Sequence, residues 1–137
     1  MPNRFIVAAV LMLLLVPANI ACKSLENDTD PETVTDVDSL VEYLRESSVA
    51  LLDHGPFVSQ TMSVPGYAYT PTSGGTLHVF QYPTAGDALT DVAQIDKGRD
   101  PRRSPHLYRK DDLVVLYWGD DPRLEQALRR VFGSRIA

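Results

Sequence analysis

The chain has 137 residues, which is enough for one domain of ordinary size. Its formal net charge of −5 argues against nucleic acid as a partner, and its apolar fraction of 44% is typical of a globular protein. A single cysteine excludes both an internal disulfide and a Cys-x-x-Cys site. Packing of the core must therefore hold the fold together.

The N-terminal 22 residues divide into three zones. Arg4 precedes an uninterrupted apolar run over residues 5–16, and the segment 17–21 then offers small side chains and a proline before Cys22. This order is typical of a secretory signal peptide. The apolar run is shorter than the roughly 20 residues that a transmembrane helix needs. We therefore predict an export signal over residues 1–21.

The tetrapeptide Asn19-Ile20-Ala21-Cys22 resembles the lipobox of bacterial lipoproteins. Ala21 matches the small residue before the cut and Cys22 the modified residue, while Asn19 stands where the family usually has an aliphatic residue. The resemblance implies a diacylglyceryl group on Cys22, removal of the leader, and acylation of the new amino terminus, for example with palmitate. Two or three such chains anchor a protein stably, at about 0.8 kcal/mol per buried CH₂. An uncleaved membrane anchor and a cleaved leader with an incidental cysteine are the alternatives.

The segment after the cysteine is acidic and has few apolar side chains. Residues 23–37 contain five carboxylates against one lysine, so they cannot bury enough surface to offset their chain entropy. We predict a lipid-anchored tether over residues 22–37 and a single folded domain over residues 38–137. The location implied is the bacterial cell envelope, and Lys23 favours the outer membrane where the cell has one.

The sequence pattern of residues 38–137 predicts helices that alternate with hairpins. Residues 38–47 form an amphipathic helix, and residues 49–53 are either its end or a short strand. Strand patterns predict one hairpin turning at residues 72–75, and a second, over residues 106–119, turning at residues 110–112. Between the hairpins, a helix follows Thr84.

The closing helix has the clearest signals. Asp121 is its predicted N-cap, Pro122 stands at the first helical position and Gly133 ends it. The element order predicts an α+β fold, with an antiparallel sheet of about four strands in two hairpins and two to three helices packed on one face. The segments 79–83 and 107–121 resemble those of small bacterial lipoprotein domains. That resemblance spans about residues 38–134 and implies no known activity.

Residues that could support catalysis are sparse in the sequence. The three histidines, His54, His78 and His106, form no HxH or HxxxH pair, and no serine stands in a nucleophile motif. Gly74 and Gly75 lack the lysine and the strand–loop–helix setting of a phosphate-binding loop and so predict a hairpin turn. A small exported enzyme or metal-binding protein using His78 or His106 is the alternative to a non-catalytic protein.

Two features of the sequence could serve binding. Aromatic side chains recur along the predicted strands and, on an open sheet face, would form a recognition surface. This candidate surface comprises Tyr67, Tyr69, Phe80, Tyr82, Tyr108 and either Tyr117 or Trp118. The alternative is that these rings form the core or pair within hairpins. Arg102 and Arg103 lie in a basic stretch over residues 97–110 that either contacts anionic headgroups or an acidic partner, or is simply solvated.

These observations favour a non-catalytic, lipid-anchored binding module of the cell envelope. We expect the protein to contact the membrane through the lipid on Cys22 and to bind an envelope component, without a cofactor and without nucleic acid. A passive structural lipoprotein is a further alternative.

Overall fold

The computed structural model of the protein describes residues 30–97 and 104–136, which form an antiparallel sheet with helices on both faces. A 3₁₀ helix, Pro31–Thr33, precedes the first α-helix. The main elements, in chain order, are α1 (Val37–Glu46), β1 (Leu51–Phe57), β2 (Gly66–Pro71), β3 (Thr76–Gln81), α2 (Ala85–Lys97), β4 (His106–Lys110), β5 (Leu113–Trp118) and α3 (Pro122–Phe132). The strand order is β1-β2-β3-β5-β4, so the α+β class and the antiparallel sheet are confirmed.

The helices divide between the two faces of the sheet. The core side chains of α1 and α3 form one cluster with Leu77, Val79 and Val115, whereas α2 joins a second cluster with Phe80 and Leu116. Successive residues of a strand point to opposite faces, and this alternation separates the two clusters. We call these surfaces the α1/α3 face and the α2 face. The prediction of helices on one face only was wrong, because β3 and β5 bury apolar side chains in both directions.

Strand β5 lies in the interior of the sheet, as its apolar run predicts. It pairs with β3 on one side and with β4 on the other, and residues 113–117 are all buried. The two predicted hairpins are present, with turns after β2 and after β4. At the second turn Asp111 adopts a φ of 52°, a left-handed conformation that Asp tolerates better than most residues.

The fifth strand is β1. It begins within residues 49–53, for which the sequence allowed either the end of a helix or a short strand. It is an edge strand and pairs with β2 from Leu51 to Phe57. A register shift between Asp53 and Gly55 interrupts the ladder, and most of its side chains are exposed or only partly buried. A bulged, half-exposed edge strand has no clean apolar alternation, which is why its pattern was ambiguous.

The packed body starts earlier in the chain than residue 38. Val34 is fully buried in the core of the α1/α3 face, and Val37 is buried beside it. The Lys110 Nζ donates to the carbonyl oxygens of Pro31 at 3.3 Å and Val34 at 3.2 Å. Part of the predicted tether therefore packs against the domain, on the α1/α3 face.

The helix termini carry the signals expected of them. The Asp36 carboxylate accepts from the backbone N–H of Ser39 at 2.8 Å, and the Ser39 hydroxyl accepts from the N–H of Asp36 at 3.1 Å. Hydrogen bonding with the side chain of Ser39 and with its backbone N–H lowers the pKa of Asp36. Asp121 caps α3 by accepting from Arg123 N–H at 3.0 Å, as predicted.

Candidate binding groove

A groove of about 620 Å³ opens on the α2 face of the sheet. Side chains of β3 and β5, together with Phe57 at the end of β1, form its floor. The segment that follows β1 forms one side, and the C-terminal part of α2 with the two residues before β4 forms the other. We call this site the aromatic groove. Its described lining residues are Phe57, Val58, Ser59, Gln60, Thr61, His78, Phe80, Gln94, Ile95, Ser104, Pro105, Leu116 and Trp118.

Four rings contact one another along the floor. The His78 ring lies between Phe57, at a centroid distance of 4.4 Å, and Trp118, at 4.9 Å. Phe80 lies edge-on to Phe57 at 5.8 Å and is buried, whereas the other three rings are partly exposed. Edge-to-face pairs of this kind contribute about 0.5–1.5 kcal/mol each beyond the area they bury. The rings therefore form a fixed surface that still reaches solvent.

His78 is the titratable side chain on this floor. Burial lowers the pKa of His78 below 6.5, because desolvation penalises the charged imidazolium. Within the described part of the chain, its contacts are with neighbouring rings, and neither ring nitrogen is hydrogen-bonded. At neutral pH the imidazole is thus uncharged and has one donor and one acceptor available.

The loop between β1 and β2, which forms one side of the groove, is tied to α2 through a carboxylate. The Asp91 Oδ2 accepts from the backbone N–H and the hydroxyl of Ser63, both at 2.7 Å, and from the Tyr82 hydroxyl at 2.8 Å. Burial alone would raise the pKa of Asp91, but these hydrogen bonds outweigh it and the pKa lies below 3.8. Burial of the Tyr82 hydroxyl and its hydrogen bond to Asp91 raise the pKa of Tyr82. The carboxylate therefore fixes the position of this loop.

Gly66, at the start of β2, makes room for two of the rings. A Cβ at this position would lie 2.6 Å from the Phe80 ring and 2.7 Å from the Phe57 ring. Contacts this short do not occur in real structures, so a side chain here would displace a ring. The absence of a side chain at Gly66 is part of how the groove is built.

The aromatic residues proposed from the sequence do not form one surface. Tyr69 and Tyr108 are buried in the core of the α1/α3 face, whereas Phe80 and Tyr82 are buried in the core of the α2 face. Tyr67 is 39% exposed and lies on the α1/α3 face, two residues from Tyr69 on the same strand. Only Phe80 among these five lines the groove. Of the pair left open, Tyr117 is buried and Trp118 lines the groove with 36% of its surface exposed.

The two histidines considered for metal binding or catalysis lie on opposite faces of the sheet. His106 faces α3, where its Nε2 lies 3.1 Å from the Glu125 carboxylate and its Nδ1 contacts the Arg135 guanidinium. His78 lies in the groove on the other face. Within residues 30–97 and 104–136, no group of three or more His, Cys, Asp or Glu side chains is placed to hold a metal ion.

Three predicted site residues lie outside the described residues. These are Cys22 in the lipobox-like segment and Arg102 and Arg103 in the basic stretch. Lipidation of Cys22 and contact of the two arginines with anionic lipid or an acidic partner both stay predictions. Among the helices that the structure describes, none has the length and apolar character needed to span a bilayer.

Phe57, His78 and Trp118 were not recognised from the sequence as parts of one site. The alternation of side chains along a strand puts His78 and Phe80 on one face of β3, and it puts Leu116 and Trp118 on one face of β5. The sequence did not show that β3 pairs with β5, with Thr76 opposite Trp118 and His78 opposite Leu116. That long-range pairing is what brings the rings together.

Comparison with known proteins gives no further assignment: the chain matches no protein-family model, no curated protein and no solved structure.

Proposed function

We propose that the protein is a lipid-anchored, non-catalytic binding module of the bacterial cell envelope, and that the aromatic groove is its binding site. The observation that supports a binding role most directly is a groove of about 620 Å³ with three partly exposed rings on its floor. Sites for small ligands usually measure about 300–1,000 Å³ and are lined by apolar and aromatic side chains with a few polar groups. The groove meets that description.

The chemistry of the groove favours binding over catalysis. Of its described lining residues, only His78 carries an acid–base side chain. Acid–base and nucleophilic mechanisms place a second reactive group within hydrogen-bond reach of the first, whereas the neighbours of His78 on the floor are rings. Aromatic side chains give large contact area at low entropic cost, which suits recognition.

The envelope location rests on the lipobox-like segment that ends at Cys22. A protein held at a membrane by two or more acyl chains remains in one compartment and meets ligands only there. A binding module requires only such an anchor and a binding site, and the aromatic groove is a site of suitable size.

A photo-crosslinking amino acid at position 58 tests the proposal in intact cells. Val58 lies at the rim of the groove and is 88% exposed, so a bulky replacement is accommodated. We expect a discrete adduct that disappears when Trp118→Ala is added. The matched control carries the same amino acid at position 67, which is exposed on the opposite face. Equal adducts from positions 58 and 67, or none from position 58, would contradict the proposed binding site.

A further inference from the structure

The lining of the aromatic groove also bears on what it binds. Resting on the proposed function, we infer that the ligand is an uncharged aromatic molecule with one hydrogen-bonding substituent. Three observations carry this inference: the ring composition of the floor, the absence of charge on the described lining, and the nitrogens of His78, which form no hydrogen bond within residues 30–97 and 104–136.

The ring composition favours a flat ligand. The partly exposed surface of the floor consists of Phe57, His78 and Trp118, whose planes are tilted by 48° and 70° across the two closest pairs. An added ring can continue such a cluster by edge-to-face or offset contact, the geometries that aromatic quadrupoles prefer. A flexible acyl chain gains no comparable directional contact and loses more conformational freedom on binding.

Charge complementarity favours a neutral ligand. The described lining residues carry no Asp, Glu, Lys or Arg, and desolvation keeps His78 uncharged at neutral pH. Among these described residues a carboxylate or ammonium on the ligand would meet no opposite charge, and a buried charge without a partner is strongly disfavoured. A hydroxyl or amide, in contrast, can exchange water for a hydrogen bond with a His78 nitrogen.

The site is also held in place before any ligand arrives. Asp91 fixes the neighbouring loop through Ser63, and Gly66 allows Phe57 and Phe80 to close against β2. A rigid site loses little conformational entropy when it binds a rigid molecule.

Fluorescence provides a direct test, because Trp118 is the only tryptophan of the chain and lies in the groove. The full-length protein in phosphatidylcholine vesicles is titrated with 4-propylphenol, propylbenzene, 4-propylbenzoate and 1-dodecanol. We expect 4-propylphenol to shift the emission saturably to shorter wavelength. The benzoate, which adds a charge to the same shape, should bind at least about tenfold more weakly.

A variant of His78 tests the hydrogen bond. In His78→Phe the ring remains but its nitrogens are gone, so the preference for 4-propylphenol over propylbenzene should fall about fivefold, the ratio expected for one hydrogen bond. Tyr67→Ala, which removes an exposed ring on the opposite face, should leave that preference unchanged. Far-ultraviolet circular dichroism verifies that both variants are folded.

The outcomes separate this inference from the proposed function. Tighter binding of 1-dodecanol than of 4-propylphenol, or an unchanged preference in His78→Phe, overturns the ligand class and leaves the groove as a binding site. No emission shift with any of the four probes also overturns it. Whether the groove binds an envelope component is then decided by the crosslink from position 58.

Discussion

His78 combines a polar ring with an aromatic surrounding, and its titration should be visible in the stability of the domain. Burial lowers its pKa below 6.5. In the acid range His78 is therefore protonated more fully in the unfolded chain than in the folded chain. The stability that this neutral imidazole contributes is present above pH 6.5 and is lost as the pH falls through the folded pKa.

This linkage gives a prediction for His78→Phe. The free energy of unfolding of the wild-type protein should decrease between pH 7.5 and pH 5.0 by more than that of the variant. Urea unfolding monitored by circular dichroism at the two pH values measures both differences. His54→Gln is the matched control, because His54 is an exposed histidine on β1. The interpretation fails if His54→Gln, and not His78→Phe, flattens the dependence.

Gly66 provides a second prediction for a single residue. Gly66→Ala places a methyl group within 2.8 Å of both the Phe57 and Phe80 rings, so one ring must move. We expect a loss of about 1–3 kcal/mol in the free energy of unfolding, the usual cost of overpacking. A shift in Trp118 emission should accompany it, since Phe57 borders the same ring cluster.

Gly86→Ala is the control for this substitution. Gly86 lies in α2, and an added Cβ would approach nothing closer than the Thr84 hydroxyl at 3.8 Å. Alanine favours a helix over glycine by at most ~1 kcal/mol, so this variant should be as stable as the wild type or more so. Equal losses in both variants would show that the ring contacts at Gly66 do not matter.

At the level of secondary structure elements, the contact between α2 and the loop after β1 determines one side of the groove. Asp91→Asn replaces a carboxylate that accepts three hydrogen bonds by an amide whose nitrogen cannot accept. We expect the free energy of unfolding at pH 7 to fall by about 1–3 kcal/mol. Because the pKa of Asp91 is below 3.8, the difference between the two proteins should shrink as the pH falls through that folded-state value.

Urea unfolding at intervals from pH 7.0 to pH 2.0 measures this difference. Asp120→Asn, at an exposed position before α3, serves as the matched control and should change stability little. A loss in Asp91→Asn that stays constant over this whole range would show that the carboxylate is not the source of the effect.

Local signals were sufficient for most elements but not for the groove. Asp121, Pro122 and Gly133 mark the two ends of the closing helix, because helix capping depends on residues at the helix ends themselves. The turn at residues 72–75 is likewise predicted by its own glycines. The position of α2 on the opposite face depends on which strands pair. The strands β3 and β5 are separated in the chain by α2 and β4, and no local pattern encodes their pairing. The groove depends on this pairing and therefore could not be predicted.

At the scale of the whole molecule, the proposed lipid anchor is the feature with the largest consequence. In the lipoprotein proposal Cys22 accepts the diacylglyceryl group, so Cys22→Ser should leave a longer, unprocessed precursor that is not acylated. Metabolic labelling with palmitate and intact-mass analysis of the membrane fraction measure both effects. Ser24→Ala, two residues away, should be processed as the wild type is. Labelling of Cys22→Ser at the wild-type level would contradict the lipoprotein proposal.

The burial of Val34 bears on how an anchored molecule would be oriented. The chain joins the body on the α1/α3 face, where Lys110 holds the carbonyls of Pro31 and Val34, and the aromatic groove opens on the reverse side. The stretch from Cys22 to residue 29 reaches at most ~28 Å when fully extended. Because that attachment lies on the face opposite the groove, anchoring through Cys22 would not require the groove to face the bilayer. Dissolved molecules would then be able to enter it from the aqueous compartment.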